Sequence, residues 1–237
     1  MLVIHDWFDV AQALAFFFIA FISLIISFLI YRKDPSYTLN WTFSLGVAIL
    51  GLTYVFSFLG NLYYMFYDHG DIFYIRTAFF LAPIAFMFFY YTSLGIYRGV
   101  NSMYSKPSLV IFLPLFVVDF IIIYVFNGVV FKEGSQTNSI STLPFKIVDL
   151  GSILVLYILV YYFFIKSYRS VDDREVKTNL RFFLIGWAFG GLGFLSILGS
   201  DYFRILDLIG PLTICLGILI LSRSFLTKHK KENLSTI

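Results

Sequence analysis

Seven long apolar runs, separated by short polar connections, dominate this 237-residue chain. They place helices over 8–31, 40–62, 73–97, 108–130, 145–166, 179–200 and 204–223. A run of about 20 apolar residues, rising 1.5 Å per residue, covers the ~30 Å hydrocarbon core of a bilayer. Lipid offers the backbone no hydrogen-bond partner, so such runs must close their own bonds as helices. Barrel-like strand alternation is not visible. The expected fold is therefore all-α: a polytopic membrane protein built as a seven-transmembrane-helix bundle over 1–226, with a short basic tail over 227–237. Composition agrees, because 13% charged residues are too few to cover a soluble domain and the mean hydropathy is +0.86. The first run lacks a preceding basic segment and reads as a retained helix, not a secretory leader. The single cysteine, Cys215, has no partner for an internal disulfide.

The basic residues sort by side. Thirteen of the 17 follow helices one, three, five and seven, while Arg76, Lys132, Lys146 and Arg204 lie at the opposite ends. The positive-inside rule puts the thirteen in the cytoplasm, with the amino terminus outside and the carboxyl terminus inside. The expected location is the cell membrane, as a multi-pass protein. A net charge of +3 is small and does not point to nucleic acid. Membrane lipids are the expected surroundings, with the tail a contact for anionic headgroups.

Charges inside spans are expensive and need a reason. Asp119 lies 13 residues beyond Lys106, well inside the hydrocarbon. Asn127, eight residues on, falls on the same face of an uninterrupted helix. Asp149, Asp207 and Arg76 each lie about one turn inside the end of a span. Arg76, Asp119, Asn127, Asp149 and Asp207 are thus the candidate ligand-binding residues, in a polar pocket opening outward. The competing reading is a structural network in which Arg76 pairs with one acid. Asp207 is expected to face the bundle interior, toward Asp149 or Arg76, since Pro211 and Cys215 continue its face.

Other chemistry finds little support. The chain has no Gly-x-Ser-x-Gly turn, His-Glu-x-x-His pair or phosphate-cradling glycine loop. No histidine falls in a span, and the last span has no lysine for a retinal Schiff base. His5, Asp6, Asp9, Asp68, His69 and Asp71 are metal-ligand types without a metal-ligand spacing. The expectation is no enzyme, no cofactor and no metal. The segment "KSYRSVDDREVKTNLR", Lys166 to Arg181, is the most charged connection, and Arg169, Arg174 and Lys177 are its candidate partner contacts. Gly186 and Gly190, four apart in "GWAFGGLG", suit close helix packing within the chain, or a homodimer contact.

Several segments, read in order, resemble the seven-helix amino-terminal sensor region of bacterial and archaeal histidine kinases. They are "RKDPSYTLNWTFSLGVAILG", "YIRTAFFLAPIAFMFFYYTSLGIYR", "KPSLVIFLPLF", "REVKTNLRFFLIGWAFGGLG" and "LDLIGPLTICLGILILSRSFL". The resemblance implies a module that senses a signal and passes it through its last helix. Here no kinase, phospho-acceptor or nucleotide segment follows Arg223, so the output would go to a separate cytoplasmic partner. The expected function is a stand-alone, receptor-like sensor. The alternative is a small transporter or channel component using Asp119 as its ion or proton site. The orientation gives the first prediction. A tag at residue 237 should stay unlabelled by an impermeant reagent in intact cells and become labelled on permeabilisation.

Overall fold

The computed structural model describes residues 7–67, 71–104, 106–131, 139–199, 203 and 205–226. The main helices are α1 (Trp7–Lys33), α2 (Thr38–Tyr67), α3 (Ile72–Arg98) and α4 (Lys106–Phe120). A 3-10 turn, Val100–Tyr104, joins α3 to α4, and a π turn, Ile121–Val125, continues α4. Two short strands, β1 (Val129–Phe131) and β2 (Ser139–Ser141), then pair as an antiparallel hairpin, with Val129 opposite Ser141. A single helical turn, α5 (Leu143–Phe145), and a second π turn, Lys146–Leu150, lead into α6 (Gly151–Ser170). The chain continues as α7 (Arg174–Gly199) and α8 (Leu206–Leu226).

Among the described residues the fold is all-α apart from the hairpin, and six helices are long and apolar enough to cross a membrane. They correspond to the expected runs one, two, three, five, six and seven. The fourth run differs from its expected extent of 108–130. Its helical part ends at Val125, and its described apolar stretch is only Pro114–Val125. The reason is local. Asn127 takes a left-handed φ of 51°, and the Gly128 N–H turns back to the Ile122 carbonyl at 2.8 Å. That geometry ends the helix and starts the hairpin, which the sequence reading placed inside a helix and a loop.

The six long helices close a ring in the order α1, α2, α3, α6, α7, α8, with α8 returning to α1. α4 stands off this ring and packs on α3 and on the second π turn. Aromatic side chains fill the ring's axis. Phe43 stacks on Phe225 at 4.1 Å and meets Phe89 at 5.5 Å, while Phe164 stacks on Phe183 at 4.9 Å. Trp187 meets Phe89 at 5.4 Å. Offset and edge-on ring contacts of this kind add to the packing of their large apolar area.

Several polar groups inside the ring are matched in pairs. Ser27 Oγ lies 3.0 Å from Ser44 Oγ, joining α1 to α2. Tyr157 donates its hydroxyl to the Trp187 carbonyl at 2.8 Å, and the Trp187 indole N–H donates back to the Tyr157 carbonyl at 3.1 Å. In a medium without water these exchanges hold helices together and remove otherwise unpaired groups.

The closest backbone approach is between α7 and α8. A Cβ on Gly193 would lie 2.6 Å from the Gly210 carbonyl oxygen, and one on Gly217 would lie 2.7 Å from that of Gly186. Gly186 therefore packs on α8 within the chain, whereas a Cβ on Gly190 would meet nothing within 4 Å. Backbone cannot step aside as a side chain can, so overpacking here should cost about 1–3 kcal/mol. Gly193→Ala should lower the melting temperature in detergent by about 3–10 °C. Gly190→Ala should leave it unchanged or slightly raised, since alanine also favours the helix.

Candidate functional site

The site is built around the junction of α3, α4 and the hairpin. α3 starts at Asp71, whose carboxylate accepts from the Phe73 N–H at 2.9 Å as an N-cap. Arg76 then lies one turn into the helix. Its Nε and Nη2 donate to the Val129 carbonyl at 3.0 and 2.9 Å, and Nη2 also donates to Asn127 Oδ1 at 2.8 Å. Thr77 Oγ1 lies 3.0 Å from the Tyr124 hydroxyl. Arg76 thus ties α3 to the end of the first π turn and to β1. Both of these partners are neutral, and the side chains of Asp149 and Asp207, the acids expected near Arg76, lie outside the described residues.

Asp119 sits deeper. Phe80 meets Phe120 at 5.8 Å and Tyr124 at 6.2 Å, which sets the α4 backbone alongside α3 below Arg76. Asp119 is fully buried, and neither carboxylate oxygen has a hydrogen-bond partner. One turn before it, Leu115 and Phe116 pack toward Tyr91, Phe112 and Leu156. One turn after it, Ile122 and Ile123 join Val129 and Phe145. The carboxyl group is therefore placed between two apolar clusters. Asn127, by contrast, is exposed and engaged by Arg76. The two do not share a face as expected, because a π turn takes in an extra residue and the helix stops before Asn127.

The other expected ligand residues are placed only by their backbone. Asp149 belongs to the second π turn, which approaches α4, and Asp207 to the first turn of α8. Their side chains lie outside the described residues, so the expected direction of Asp207 falls there too. Pro211 and Cys215, one and two turns further on, are both buried. His5, Asp6, Asp68 and His69 also lie outside the described residues. Among the described residues no three of His, Cys, Asp and Glu form a group able to hold a metal.

At the far ends of α6 and α7 the polar connection is only three residues, 171–173. Asp173 Oδ1 accepts from the N–H groups of Glu175 and Val176, at 2.8 and 2.9 Å, and so caps α7. Most of the expected contact segment is thus helix end. Arg169 is exposed. Lys177 Nζ lies 5.3 Å from the Tyr168 ring centroid, a cation–π contact. Arg174 lines a cavity between α7 and α8.

Set against known protein families, curated proteins and solved structures, the chain matches none of them. Fold and geometry define a class: an all-α chain with, among the described residues, six helices long and apolar enough to cross a membrane, and a fully buried carboxylate beside its ring of helices. The hydroxyls of Ser23 and Ser167 are also buried without a partner, but a neutral hydroxyl is far cheaper to desolvate than a charged carboxylate.

What Asp119 costs can be measured. Replacing an unsatisfied polar group with an apolar one of similar size is nearly neutral or stabilising, whereas stripping a donor from satisfied acceptors is not. Asp119→Leu should hold or raise the melting temperature. Arg76→Met, which abandons the Val129 carbonyl and Asn127, should destabilise by about 2 kcal/mol. The opposite order, read in the same thermal melts, would place Asp119 among the structural contacts.

Proposed function

We propose that this chain is a membrane sensor module, receptor-like and without an enzymatic step of its own. Asp119 takes up a proton or a cation, and the change in its charge biases two packings of α4 against α3. One observation carries the reading: a fully buried carboxylate whose two oxygens have no partner. An uncompensated charge in such surroundings costs several kcal/mol, so the site demands a counter-charge. A ligand shifts a conformational equilibrium only through unequal affinity for the two states. A group left unsatisfied in one packing supplies that inequality.

The position of α4 suits the role. It lies off the ring, its packing partners are few, and a π turn interrupts its ladder next to Asp119. The aromatic filling of the ring axis favours a sensor over a transporter, because a conducting path through the ring would have to displace Phe43, Phe89 and Trp187. In this reading α4 supplies the seventh span, with the amino terminus outside and the carboxyl terminus in the cytoplasm. The resemblance to histidine-kinase sensor regions fits the same role. The exposed Arg169, at the inner end of α6, is offered to a cytoplasmic partner.

Spin labels test this directly. With Cys215 replaced by serine, cysteines at Val117 on α4 and Leu154 on α6, both exposed, accept labels. The distance distribution in nanodiscs should shift with pH or with added sodium in the otherwise native chain. It should be insensitive to both in Asp119→Asn. An unchanging distribution in both proteins would sink the sensor reading. Cation uptake by liposomes holding the purified chain alone, lost in Asp119→Asn, would replace it with the transporter reading.

A further inference from the structure

At the membrane face where α7 begins and α8 ends, a cavity of about 390 Å³ lies between the two helices. Arg174, Glu175, Thr178, Asn179 and Phe182 of α7 line it, with Arg223 of α8. We propose that this cavity binds the phosphate headgroup of an anionic glycerophospholipid. The walls are held in place. Ser224 Oγ donates to the Asn179 carbonyl at 2.9 Å and ties α8 to α7. The Arg223 guanidinium lies 4.3 Å from the Phe182 ring centroid, which orients it over the cavity. Arg174 and Arg223 are both exposed at this face. Guanidinium groups carry planar donor forks that match phosphate oxygens, and basic pockets between membrane helices take anionic headgroups.

The gradient along α7 points to a lipid and not a soluble anion. Arg174, Thr178 and Phe182 follow at four-residue steps on one face, so the lining descends about 12 Å from a guanidinium to an aromatic ring. A phosphate bound at the top would leave its acyl chains beside Phe182. The N–H groups of Glu175 and Val176 are already taken by Asp173, so the helix terminus itself is not the binding element. Glu175 opposes an anion, and two guanidinium groups against one carboxylate leave the cavity positive on balance. Arg174 thereby serves the lipid, and Arg169 remains for a protein partner.

The test uses the full chain in phosphatidylcholine nanodiscs doped with phosphatidylglycerol, with retained lipid counted by native mass spectrometry. The native chain should retain phosphatidylglycerol over phosphatidylcholine. Arg174→Gln with Arg223→Gln should reduce that preference by about 30-fold, taking roughly a fivefold factor per basic residue near a membrane surface. Glu175→Gln, which removes the opposing charge and spares both arginines, should raise it. That variant keeps the proposal testable if the double variant fails to fold. Equal retention in the native and double-variant chains, or no gain in Glu175→Gln, overturns the assignment. So does inorganic phosphate raising the melting temperature of the detergent-solubilised chain as far as phosphatidylglycerol does, which would make the ligand a soluble anion.

Discussion

Hydrocarbon accepts no unpaired backbone group, and the rest of this structure depends on that constraint. It accounts for the six long apolar helices and also for how the chain behaves where a helix stops. After Val125 the helical ladder is broken, and the carbonyls of Gly128 and Val129 need other donors. Arg76 supplies donors for Val129, and the Gly128 carbonyl accepts from the Thr142 N–H at 2.8 Å and its hydroxyl at 3.1 Å. A charged residue one turn inside α3 thus satisfies backbone that the helical ladder leaves open.

The ring is held by contacts that lipid cannot imitate. Apolar side chains gain little by leaving hydrocarbon for another apolar surface, so close fit and hydrogen bonds decide which helices meet. The glycines of α7 and α8 allow backbone-to-backbone approach, and the reciprocal Tyr157–Trp187 bonds fasten α6 to α7. Aromatic rings from α2, α3, α6, α7 and α8 then close the axis. α4 lies outside this packed unit and touches it chiefly through α3.

The charged groups divide by what they satisfy. Arg76 holds structure at one end of α3, and Arg174 and Arg223 border the cavity at one end of α7 and α8. Asp119 alone among the described carboxylates is fully buried without a hydrogen-bond partner. The cost of burying such a group without a partner is the physical reason for proposing a function for it.

Run length and apolarity by themselves determined the helical class, six of the spans and the cost attached to Asp119, because these properties are local: they follow from the residues of one segment and the thickness of a bilayer. They also showed that Gly186 suits a close helix contact. The partner of that contact, Gly217 on α8, came only from the tertiary structure. So did the neutral partners of Arg76, which lie 51 and 53 residues away along the chain. The end of the fourth run is not legible in the sequence, because Asn127 and Gly128 sit in an otherwise apolar stretch and the π turn that separates Asn127 from the face of Asp119 leaves no periodic mark. Lateral placement decides which polar groups meet, and it depends on how helices distant in sequence fit one another, a quantity no single segment contains.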